Sequence, residues 1–120
     1  MEKNNPLRDK SYKFAVETTL FCRKLAKENR EYVLSKQLQR SSTSVGANVE
    51  EANFASSKRD FAAKLAIAFK EANESLYWLR VIRDSGYSSD GNIENLIKMA
   101  NELIRLLTSI LKTTRQSLTK

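Results

Sequence analysis

Histidine is absent from the chain, and that one gap removes several chemistries. Serine or cysteine nucleophiles have no imidazole base, zinc sites built on imidazole have no ligand, and the Glu-x-x-His pairs of di-metal helical bundles cannot form. Cysteine occurs once, so no intramolecular disulfide exists. With Phe21 and Leu25 beside it, Cys22 reads as a small core hydrophobe rather than a reactive thiol. The three glycines, Gly46, Gly86 and Gly91, stand too far apart to build a phosphate-cradling loop. A single proline suits a helical protein better than a turn-rich β fold. No run approaches the roughly 20 apolar residues of a membrane span, and the opening MEKNNPLRDK lacks the apolar stretch of a signal peptide. The expectation is a cytoplasmic protein that makes no membrane contact and carries no cofactor.

What is present is helical periodicity over one domain's length. The whole chain, residues 1–120, reads as a single all-α unit in which residues 1–8 form an N-terminal arm. A first helix is predicted from about Asp9 to Glu28, with Phe14, Thr18, Phe21 and Leu25 on one face and Asp9 or Ser11 as its cap. A second runs from about Glu31 to Ala55 along Leu34, Leu38, Val45, Val49 and Ala52. Its middle, SSTSVGANVEEA, is poor in helix formers, and Gly46 alone costs about 1 kcal/mol against alanine. The apolar spacing nevertheless holds, with Leu38 and Val45 one heptad apart, so the helix is expected to continue.

A capping box is expected at Ser57-Lys58-Arg59-Asp60. It opens a third helix through Phe61, Leu65, Ala68, Phe69, Ala72, Leu76, Leu79 and Ile82 to a stop at Gly86. A turn at Ser88-Ser89-Asp90-Gly91 leads to a fourth helix from about Asn92, whose apolar stripe runs unbroken from Ile93 to Thr114. Four helices with short loops imply an up-down-up-down four-helix bundle.

Without histidine, the acid and base candidates are carboxylates: Glu50, Glu51, Asp60, Glu71 and Glu74. Glu71 and Glu74 share a helical face as metal ligands would, and Glu51 offers a third oxygen donor. A salt-bridged surface accounts for the same residues, and is preferred. The cations are more informative. The net charge is +7, from 21 Lys and Arg against 14 Asp and Glu, which favours anionic partners. Lys98, Arg105 and Lys112 repeat at seven, with Arg115 adjoining, and Arg23, Lys27 and Arg30 share a face of the first helix. They read either as ordinary solvated faces or as a phosphate-binding surface with little base specificity. Tyr77, Trp78 and Val81 put a second apolar stripe on the third helix, beside Ile67. In a monomer Trp78 would stand partly in water, whereas in a homo-oligomer these residues would anchor an interface.

The run LSKQLQRSSTSVGANVEEANFASSKRDFAAKLAIAFKEANESLYWLRVIRDSGY resembles the bacterial 23S rRNA intervening-sequence proteins, whose relatives include the accessory variability determinant proteins of diversity-generating retroelements. The resemblance is carried by Gln37, Arg40, Ser41, Ser44, Val45, Ala47, Asn48, Val49 and Glu51, then by Ser57, Lys58, Arg59, Asp60 and Phe61, and it extends over roughly residues 10 to 115. Two positions depart from the pattern: Ala52 replaces a usual glycine, and Ala55 an arginine found in many members. The resemblance implies a non-enzymatic four-helix bundle, often a cyclic pentamer. It further implies RNA, DNA or a reverse transcriptase as partner; an adaptor role toward protein alone is the alternative. Ser41, Ser44, Gly46, Ala47 and Ala52 would keep the second helix thin so that a neighbour approaches closely. Arg40, Asn48, Glu51 and Asp60 are expected to form a polar network near that seam, structural rather than catalytic.

Overall fold

The computed structural model describes residues 5–87 and 91–119. Four helices follow one another: α1 (Pro6–Asn29), α2 (Val33–Ala52), α3 (Lys58–Asp84) and α4 (Gly91–Leu118). α1 starts earlier than its periodicity suggested, so residues 6–8, expected in an arm, are helical. The cap is Asn5, whose side chain accepts from the Arg8 N–H at 3.1 Å. Pro6 follows at the first helical position, where its missing N–H costs nothing. Ser11, a proposed cap, is instead buried and donates to the Arg8 carbonyl, while Asp9 lies in the first turn.

α2 runs through the serine-rich stretch without a break and stops at Ala52, short of Ala55. Its entry is held by Glu31, whose side chain accepts from the Ser35 N–H and whose carbonyl accepts from the Ser35 hydroxyl. At α3, Ser57 accepts from the Asp60 N–H at 3.0 Å as the capping box requires. The return bond is displaced by one residue, because Asp60 accepts from the N–H of Ser56. The far end of α3 closes on Gly86, at φ 81°. There the Gly86 N–H reaches the Arg83 carbonyl and the Tyr87 N–H that of Ile82, the paired bonds of a Schellman ending. The expected turn over residues 88–91 lies outside the described residues, apart from Gly91.

Ion pairs record the helix directions. Arg8 near the start of α1 meets Glu50 near the end of α2, Glu51 meets Lys64 of α3, and Arg83 near the end of α3 meets Glu94 near the start of α4. Consecutive helices are therefore antiparallel neighbours, and α4 closes back on α1 through Lys10 and Glu102. The result is an up-and-down bundle of 51 × 24 × 23 Å. No described helix is long and apolar enough to cross a membrane.

The core is built from the expected faces: Phe14, Leu38, Val45, Leu65, Leu79, Ile82, Leu96, Leu103 and Leu107 are essentially sealed. Each such side chain contributes about 1.5–3 kcal/mol by leaving water. Cys22 belongs to this core, and burial pushes its thiol up to about 12. At neutral pH it is protonated and sheltered. Gly46 sets the approach of α1 to α2, because a Cβ there would stand 3.3 Å from the Ser11 carbonyl oxygen and 3.8 Å from the Ala15 Cβ.

Candidate functional site

Three regions hold the residues singled out from the sequence, and they lie on different parts of the bundle. The first is the seam between α2 and α3. Ser41 and Ser75 face each other there, both sealed from solvent, with their hydroxyl oxygens 2.9 Å apart. Ser41 donates to the Leu38 carbonyl and Ser75 to that of Glu71. Small polar side chains thus let two helices touch while each hydroxyl keeps a partner. Ala52 is buried as expected, but Ala47 is exposed and plays no part in the contact.

Outward from the serines runs a chain of polar groups. Asn48 donates to the carbonyl and hydroxyl of Ser44, and Ser44 donates to Glu71 Oε2 at 3.2 Å. Arg40 bridges Glu71 and Glu74, and the Trp78 indole N–H donates to Glu74 Oε2 at 3.0 Å. The Trp78 hydrogen bond, followed by those and the charge of Arg40, holds the Glu74 carboxyl below its ordinary value despite partial desolvation. Arg40 and Asn48 therefore do share a network, through Glu71 and Ser44. Glu51 and Asp60 do not join it: Glu51 is exposed and pairs with Lys64 at 3.0 Å, and Asp60 serves the α3 entry. What the sequence reading missed is that Glu71 and Glu74, three residues apart, present both carboxylates to Arg40.

Every carboxylate weighed for catalysis is thus engaged. Glu50 holds the Arg8 guanidinium in a two-point fork at 2.9 and 2.5 Å, and the rest have the partners just described. Among the described residues no group of three or more Asp, Glu or Cys is placed to hold a metal ion.

The second region is the cationic surface. Lys98, Arg105, Lys112 and Arg115 are all exposed on α4, as are Arg23 and Lys27 on α1 and Arg30 at its C-cap. Arg8, Lys10, Arg40, Lys64 and Arg83 spend their charge on carboxylates. By contrast, none of these seven sits in an ion pair among the described residues. Lys112 and Arg115, with Lys70 of α3, border a cleft between α3 and α4, and Lys98 and Arg105, further back along α4, are not part of its lining.

The third region is the outer side of α3. Trp78 is half-buried against the core, with Tyr77 edge-on to it at 5.1 Å between ring centroids. Tyr77 is 56% exposed, Ile67 is exposed, and Val81 is half-buried. Trp78 thus stands partly in water in the single chain, and of the two rings Tyr77 is the more exposed.

A family model described as 23S rRNA-intervening sequence protein matches residues 3–109 of this sequence. Among solved structures the chain is similar to a protein of unknown function from the S23 ribosomal protein family of Bacteroides thetaiotaomicron VPI-5482. The two are 43% identical with a TM-score of 0.86, and the match covers 88% of this chain and 98% of that one. No curated protein matches.

Proposed function

This chain belongs to the 23S rRNA-intervening sequence protein family, and from that membership we propose that it is a non-enzymatic, self-associating bundle that binds nucleic acid through phosphate contacts. One observation carries the reading: the seven cations on α4 and on α1 with its C-cap are exposed and free of ion pairs among the described residues. A cation already paired gains little from a phosphate, because a carboxylate must first be displaced. A free, solvated one gains by releasing the counterions condensed on the nucleic acid. Such contacts hold a backbone without reading its sequence. The paired carboxylates favour a structural over a catalytic role for the α2–α3 seam.

The test replaces Lys98, Arg105, Lys112 and Arg115 together by Gln. These side chains are exposed, so folding should be nearly unchanged. Binding to a structured RNA should weaken at every sequence tried, and the slope of log affinity against log salt should become shallower by up to about 3. Unchanged affinity and slope in the folded variant would move the role to Arg23, Lys27 and Arg30. Absence of RNA and DNA binding by the wild type at low salt would favour a protein-adaptor role, with a reverse transcriptase among the partners to try.

A further inference from the structure

Between α3 and α4 lies a cleft of about 600 Å³, within the size range of small-molecule sites. Its apolar lining is the small Ala66 and the half-buried Phe69 of α3, with the nearly sealed Leu111 of α4 beneath. Its rim is cationic: Lys70 comes from α3, Lys112 and Arg115 from α4, and no carboxylate lines it. All three cations are exposed, and none is in an ion pair among the described residues. An apolar floor beneath unpaired positive charge fits a ligand with a flat apolar body and more than one anionic group.

We propose that this cleft receives an unpaired base of a single-stranded nucleic acid, which packs on Phe69 and Leu111 while the flanking phosphates lie on Lys70, Lys112 and Arg115. The proposal rests on the phosphate-binding reading and narrows it from nucleic acid in general to unpaired strands. Three considerations select this occupant. Cations on opposite walls match successive phosphates better than the single carboxylate head of a fatty acid. Bases in a duplex are stacked on their neighbours and cannot reach a recessed aromatic ring, whereas a splayed base can. Finally, Arg105 and Lys98 continue from Lys112 at one-heptad steps along α4, which extends a charged track for the strand beyond the cleft.

The experiment compares fluorescence anisotropy of a labelled oligouridylate and of an RNA duplex of equal length, at the same low salt, on the wild type and two variants that keep every charge. Phe69→Leu removes the aromatic face, and Ala66→Met fills the cleft without touching Phe69. Each should bind the single strand at least about fivefold more weakly, the effect expected from losing one base–aromatic contact, with duplex binding unchanged. Thermal melting identifies any variant that has lost its fold, and the other then carries the comparison. If both folded variants bind oligouridylate like the wild type, the cleft proposal is overturned while the phosphate reading stands. If the wild type binds neither nucleic acid, both readings fail together. Uptake of a fluorescent fatty acid that oligouridylate does not displace overturns the proposed occupant.

Discussion

Thr18 occupies the centre of the core face of α1, wholly buried, and its hydroxyl has no hydrogen-bond partner among the described residues. A sealed hydroxyl without a partner costs roughly 1–3 kcal/mol, whereas an apolar group of similar shape costs nothing of the kind. Thr18→Val should therefore raise the thermal midpoint, by about 1 kcal/mol of stability; a lowered midpoint would mean that the hydroxyl is satisfied in solution. Residue-level reading of the sequence succeeded where identity alone decides the outcome, as at Cys22. It found Arg40 and Asn48 but joined them to Glu51 and Asp60, which belong elsewhere. The reason is geometric. Periodicity gives the phase of each helix about its own axis, but the pairing of Arg40 with Glu71 and Glu74 depends on how α2 is rotated and shifted against α3. Only packing sets that. Glu71 and Glu74 were visible as a pair on one face, and a cation at the matching level of the neighbouring helix was the missing information.

At the scale of the element, α2 is where propensity and packing disagree most. Its serines, threonine and Gly46 argue for a break, yet the helix continues, because tertiary contacts outweigh local preferences of about 1 kcal/mol or less per residue. The apolar spacing from Leu38 to Val45 carried that information, and it was legible. Helix starts were less so. At α1 an asparagine followed by proline took the cap in place of Asp9 or Ser11, since both later residues fall inside a helix whose burial of Leu7 extends the core downward. Gly46 gives α2 its test. Alanine there would gain about 1 kcal/mol of helix propensity, but its methyl would press on the rigid backbone of Ser11 at 3.3 Å. A leucine would add further bulk at the same contact. Gly46→Leu should lower stability by about 1–3 kcal/mol or more through overpacking, measured by denaturant unfolding. Unchanged stability would mean that α1 moves aside at little cost.

The whole molecule presents more apolar surface than one bundle needs. Tyr12, Val16 and Leu20 recur at every fourth position on the exposed side of α1, with Tyr12 71% exposed, and Ile67 and Tyr77 stand out on α3. Since α1 and α3 lie diagonally across the bundle, these apolar ridges are on opposite sides of the molecule. They are distinct surfaces rather than one patch. Self-association would cover them, so light scattering at micromolar concentration should give a mass well above 13.7 kDa; a monomer would overturn this expectation. The up-and-down arrangement itself was legible in the four apolar stripes and short loops. The α3–α4 cleft was not, because a void between helices arises from which small residue meets which neighbour. Trp78, the only tryptophan in the chain, gives the seam one more property. Its indole N–H is tied to the carboxylate that also holds Arg40 of α2. Excited at the red edge of its absorption, where the four tyrosines contribute little, the protein thus emits from a single lamp mounted on the joint between two helices. Its colour and quenching change when α2 and α3 part, or when another molecule covers the neighbouring Tyr77, and either event is read in unlabelled protein.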